Sequence, residues 1–163
     1  MPNLVDTWVG FTGTPGALQI LLEKPFDFES WIPIPEYIEN ADDKTVYKWK
    51  KENWGATWIS EDYEGEEPTP VRLLKQEDGS YECKFITPWS PPLDFLWKLL
   101  EVIPGLVLEY EYCDYMMCYC GVGTGPLAIQ NKFFRFETKE ELEIVRAERV
   151  WHVPICIPHL RDD

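Results

Sequence analysis

Residues 71–113 constrain the fold more than any other part of the chain. Val71 to Lys75 and Tyr81 to Thr87 flank Asp78-Gly79. Asp-Gly suits a tight turn with positive φ, so the stretch reads as a β-hairpin. Its second strand sets Tyr81, Cys83, Phe85 and Thr87 on one face. Leu93, Leu96, Trp97, Leu100 and Ile103 then recur at helical spacing. Ser90 is placed to cap that helix at Pro91-Pro92, and Pro104-Gly105 ends it. Leu106 to Cys113 alternates Leu106, Leu108, Tyr110 and Tyr112 against Val107, Glu109 and Glu111, the pattern of a half-exposed strand. A hairpin, a helix whose apolar stripe must lie on a sheet, and another strand together indicate an α+β architecture.

The remaining segments extend that block. Leu4 to Thr12 reads as a strand. Thr14 followed by Pro15 marks a helix start, with Leu18, Leu21 and Leu22 on its apolar face and an end near Lys24. Phe26 to Pro35 reads as extended and non-central because of its prolines. Glu39 to Asp43 is a polar loop, Tyr47 to Asn53 one or two helical turns, and Glu61 to Pro70 a solvated acidic loop. After a turn at Asp114-Tyr115, Met116 to Val122 is a strand, Gly121 to Pro126 a loop and Lys132 to Glu137 a short aromatic strand. Thr138 and Glu141 form a capping-box pattern opening a helix to about Val145, and Trp151 to Ile157 reads as a closing strand. The expectation is one α+β domain over residues 1–163, mostly antiparallel, with helices on one face. It carries an irregular insertion over 37–70 and a C-terminal extension over 130–163.

Two tryptophan-centred segments are more distinctive, Tyr47-Lys-Trp-Lys-Lys-Glu-Asn-Trp-Gly-Ala-Thr-Trp58 and Phe85-Ile-Thr-Pro-Trp-Ser-Pro-Pro92. With Met1-Pro2-Asn3, Gly13, Phe26-Asp27-Phe28 and Ile32-Pro33-Ile34-Pro35-Glu36 they form an ordered series from Met1 to about Gly121. In this series the chain resembles the Api92-like family, ferredoxin-like proteins of bacteria, plasmids and phages. Leu4-Val5-Asp6 departs from the family's usual Trp-Cys-Glu, and Ala56-Thr57 from its usual Thr-Lys. The resemblance implies a ferredoxin-like fold. It carries over no functional residues, because the family has no established activity, and its home on mobile elements implies a counter-defence role.

Charge sets the functional expectation. Asp and Glu number 29 against 15 Lys and Arg, a net charge of -14, so direct binding to nucleic-acid phosphates is disfavoured. An acidic surface either confers solubility or meets a basic partner. The 45% hydrophobic content marks a folded chain, and no apolar run approaches the roughly 20 residues that span a bilayer. Five cysteines, an odd count, and no signal-like start at Met1 to Asp6 lead to an expectation of a cytoplasmic protein with reduced thiols.

Four constellations could carry chemistry. His152, Cys156 and His159 are the residues that would suit zinc, against the plain reading as tail residues; three ligands are one short of a closed structural site. Cys113, Cys118 and Cys120 gather on a hairpin, where buried apolar thiols are the ordinary reading. Gly121-x-Gly-x-Gly125 has no P-loop lysine and reads as a turn. Glu61, Asp62, Glu64, Glu66 and Glu67, extended by Glu109, Glu111 and Asp114 near a sheet edge, make a candidate docking surface for a basic groove. Trp54 and Trp89 read as packed corners rather than a binding platform. The leading expectation is a non-enzymatic acidic protein-binding module without a cofactor. It would occlude a basic, nucleic-acid-binding host protein. The competing expectation is a small-molecule-binding protein or enzyme with a pocket near Tyr81, Trp89, Tyr110 and Cys120.

Overall fold

The computed structural model describes residues 2–63, 65, 67–114, 116–126 and 132–155. It is an α+β structure built on one six-stranded antiparallel sheet of order β2-β3-β1-β4-β5-β6. The strands are β1 (Leu4–Gly13), β2 (Leu74–Lys75), β3 (Tyr81–Pro88), β4 (Leu106–Asp114), β5 (Tyr119–Gly125) and β6 (Lys132–Arg135). The helices are α1 (Pro15–Leu21), α2 (Phe28–Trp31), α3 (Glu36–Glu39), α4 (Asp43–Trp54), α5 (Leu93–Val102) and α6 (Lys139–Ala147). No helix among the described residues is long and apolar enough to cross a membrane.

The register of the central strands fixes which residues share a face. Val9 stands opposite Cys83 on β3 and Tyr110 on β4; Trp8 stands opposite Lys84 and Glu111. Val5, Val9, Phe11, Cys83, Phe85, Leu106, Leu108, Tyr110 and Tyr112 therefore form one face, and that face meets Leu21, Phe28, Trp54, Phe95, Leu96 and Leu99 of the helices in one core. Trp8, Cys113 and Cys120 belong to the other face, where Phe136, Leu142, Val145, Val153 and Ile155 cover them. Cover on one face alone is thus corrected: α6 and the segment after it lie on the second face, because Trp8 and both cysteines need burial there. The region expected as a C-terminal extension supplies β6 and α6. The capping box of α6 forms as read, with Thr138 and Glu141 reciprocally bonded.

Local competition explains the other differences from the sequence reading. Asp27 accepts the Ser30 amide at 2.7 Å and starts the short helix α2 inside the stretch read as extended. Asp42 does the same for Thr45 at 3.0 Å, so α4 runs 12 residues where one or two turns were expected and makes much of the 37–70 insertion helical. Ser90 does not cap α5; its hydroxyl donates to the Gly55 carbonyl at 2.5 Å. Residues 151–155 form no strand. Residues 156 and 157 of that expected closing strand lie outside the described residues.

The Gly121-x-Gly-x-Gly125 segment is not a turn but most of β5. Gly121 lies opposite Tyr112 and Gly123 opposite Tyr110. A methyl group at either glycine would fall inside the facing tyrosine ring, and one at Gly125 would lie 2.6 Å from Leu100 and 2.9 Å from Trp97. The glycines form a lane on which the rings lie. Gly123→Ala should therefore cost about 2 kcal/mol, the usual order for overpacking. Gly16→Ala, which meets nothing within 4 Å in α1, should be neutral or stabilising. Urea denaturation midpoints of the two variants measure the contrast, and equal midpoints would remove the steric account.

Candidate functional site

A buried polar constellation stands on the second face of the sheet. Glu111 is fully buried. Its carboxylate accepts the His152 backbone N–H at 2.9 Å, contacts His152 Nδ1 and accepts Arg149 Nη2 at 3.4 Å. The His152 ring stacks on Trp8 with centroids 3.8 Å apart and planes 6° apart. Trp8 in turn donates its indole N–H to Glu82 at 3.2 Å. Three of these contacts come from residues 149–152, so the buried carboxylate fastens the chain after α6 onto β4. Chemically, it also fixes the orientation of the imidazole. Among the described residues there is no group of three or more His, Cys, Asp or Glu that could hold a metal ion. Cys156 and His159, the other two zinc candidates, lie outside the described residues.

The eight acidic candidates do not form one surface. Glu111 and Asp114 are fully buried, because β4 is an interior strand between β1 and β5 rather than an edge. Asp114 accepts the Met117 N–H at 2.9 Å, and burial pushes its carboxyl above the usual range. Glu109 is exposed on the second face. It stands three strand spacings and four residues along from Ser60, which anchors the acidic segment beside Ile86, on the order of 20 Å. Asp62 and Glu67 line one cleft while Glu61 faces Arg72 outside it; Glu64 and Glu66 lie outside the described residues.

The acidic segment is fastened at its two ends. Ser60 exchanges backbone hydrogen bonds with Ile86 on the outer edge of β3, at 3.1 and 2.8 Å. Its buried hydroxyl donates to the Asp62 carbonyl at 2.5 Å and accepts the Thr69 N–H at 2.7 Å. Thr69 also donates its hydroxyl to the Asp62 carboxylate at 2.5 Å. Arg72 clamps Glu61 at 2.5–3.0 Å and holds its carboxyl below the usual range. This strap walls a cleft of about 350 Å³ lined by Pro2, Trp58, Ser60, Asp62, Tyr63, Gly65, Glu67 and Pro68. Trp58 and Tyr63 stack there with centroids 6.0 Å apart.

The tryptophan motifs interlock at the junction of α4 and α5. Trp54 is buried and donates its indole N–H to the Ile32 carbonyl at 2.9 Å. Lys51 bridges the Gly55 carbonyl at 3.0 Å and the Ser90 hydroxyl at 2.5 Å. Gly55 has φ 82° with the Pro91 carbonyl, Leu93 amide and Asp94 carboxylate closing the space around it, so only glycine suits. Trp89 corrects the packed-corner expectation: it is 53% exposed at φ 66°. A bulky residue at positive φ is strained, and this one is held by the Asn3 carbonyl accepting its amide at 2.8 Å.

The pocket expected near Tyr81, Trp89, Tyr110 and Cys120 is not assembled. Tyr110 and Cys120 point to opposite faces, Trp89 sits at one end of β3 and Tyr81 at the other. Cys113 and Cys120, directly opposite on β4 and β5, form a disulfide, which corrects the expectation of reduced thiols for this pair. Burial pushes the Cys83 thiol far above its usual range and the Cys118 thiol upward too, the wrong direction for a nucleophile. The alternation of β4 gave no signal that Glu111 is buried. The usable signal was the apolar Trp151-His-Val-Pro-Ile155 segment, which had to cover something. The chain matches no family model, no curated protein and no solved structure.

Two measurements follow. Glu111→Ala should cost about 3 kcal/mol, as loss of one partner from a buried ion pair does, and should speed amide exchange at 149–155 more than elsewhere. Uniform exchange in the variant would deny the fastening role. Asp6 is shifted upward by burial. Its folded state therefore holds a proton more tightly than the unfolded chain, and stability falls as pH rises from below 3.8 through the raised value. Asp6→Asn should stabilise at pH 7 and lose that gain at pH 3, read from denaturation at the two pH values.

Proposed function

We propose that this chain is a ferredoxin-like, non-enzymatic acidic module that binds and occludes a basic, nucleic-acid-binding host protein. The fold part of the reading is supported by the order β2-β3-β1-β4 over the first four strands of the sheet, with α1 to α4 in the connection from β1 to β2 and α5 in that from β3 to β4. The ordered motifs that resemble the Api92-like family support the same reading, and with it a counter-defence role for a mobile-element protein.

The observation that carries the functional part is the fastened strap. Glu61, Asp62 and Glu67 stand on a segment that is bridged to β3 and braced by Ser60 and Thr69, beside the exposed ring of Tyr63. A rigid acidic edge can meet a basic groove with little ordering cost. Exposed charge of this kind speeds association and loses strength in salt.

Affinity capture from host lysate tests the reading, with the wild-type chain and a Glu61→Lys, Asp62→Lys, Glu67→Lys variant side by side. The expected result is a nucleic-acid-binding protein retained by the wild type near 0.1 M salt, where the screening length is about 10 Å. It should be released near 1 M salt, where that length is about 3 Å, and it should not be retained by the variant. Equal retention by both chains, or no retained protein at either salt, would overturn it.

A further inference from the structure

We infer that the cleft walled by Trp58 and Tyr63 is an arginine-binding subsite, the point at which a single guanidinium of a basic partner is read. The inference rests on the protein-binding reading for its biological occupant, but the cleft's chemistry can be tested without one. Three features converge. The two rings lie 18° from parallel with centroids 6.0 Å apart, too close to admit a group between them, so a further planar group would stack on an outer ring face. A planar guanidinium stacks on such a face more favourably than a compact ammonium. Two carboxylates, Asp62 and Glu67, line the same cleft, and among the described residues no lysine or arginine lines it. The cleft volume of about 350 Å³ is at the small end of ligand pockets, the size for one side chain rather than a large cofactor.

Among the described residues, three of the chain's cations are held by carboxylates outside the cleft. Arg72 holds Glu61, Lys132 holds Glu148 and Arg146 holds Glu143. Glu61, one residue before Asp62, is turned to Arg72 outside the cleft. Asp62 is preset: its carbonyl and carboxylate are both fixed by Ser60 and Thr69, so a bidentate guanidinium would meet a carboxylate already oriented.

Nα-acetyl-arginine amide, its lysine counterpart and the neutral citrulline counterpart would be titrated into the isotope-labelled full chain, with the indole N–H resonance of Trp58 observed by NMR. The Trp58 peak is identified by its loss in Trp58→Phe; the other seven indoles report on folding. The expected result is a saturable shift with arginine, weaker binding of lysine, none of citrulline, and a loss of about tenfold in arginine affinity in Glu67→Gln or Tyr63→Ala. No saturable shift with arginine overturns the inference, as does an equal response to citrulline or unchanged affinity in both variants. If the peptide amide binds but lysate capture yields no partner, the subsite stands and the occlusion reading falls. If a partner is captured equally by wild type and Tyr63→Ala and the amide does not bind, the subsite falls and the broader reading stands.

Discussion

The structure depends on β1 being buried on both sides. Val5, Val9 and Phe11 are inaccessible on one face, and Trp8 is 3% exposed on the other. A strand of this kind cannot sit in a sheet covered by one layer. The first face is met by α1, α2, α4 and α5. The second is met by chain that follows the last strand, from Phe136 onward. That requirement accounts for α6, for the irregular segment after it, and for the stacking of His152 on Trp8.

Covering that face creates its own demand. Glu111 lies between Trp8 and the covering segment, and burying a carboxylate there is unfavourable unless donors reach it. The His152 amide, the His152 ring and Arg149 supply them. The apolar need of Trp8 and the polar need of Glu111 are thus met by one short segment, through Arg149 and His152. This is why an exposed-looking position on an alternating strand ends up inaccessible to solvent.

Signals confined to a few neighbouring residues were legible in the sequence. The Asp78-Gly79 hairpin, the presence of α5 and the capping box of α6 all depend on contacts within a turn or two, whereas the buried stripe of α5 is rotated from the one expected: Phe95 and Leu99 join Leu96 and Ile103 in the core, and Leu93, Trp97 and Leu100 are half-buried. The readings that differ depend on distant partners. Gly121, Gly123 and Gly125 look like loop residues until Tyr110 and Tyr112 on the neighbouring strand are seen to require their bareness. Ser90 looks like a cap until Gly55, 35 residues earlier, claims its hydroxyl. In α4, the Asp42 cap was a local signal outweighed by reading Glu39 to Asp43 as a loop.

Net charge proved a poor guide to where a partner would meet this chain. Of the acidic residues singled out, Glu111 and Asp114 serve the interior, Glu61 is neutralised by Arg72 and Glu109 stands apart on the open part of the second face. What distinguishes a site from a soluble surface is not how many carboxylates lie nearby but whether the protein leaves them without its own cations in a place already shaped. Among the described residues, Glu67 meets that condition beside a stacked aromatic pair, and Asp62, which feels Arg72 only from outside the cleft, lines the same cleft. A bulk excess of acid over base then acts at long range, drawing a basic partner in, while the geometry of one cleft decides which of its side chains is held.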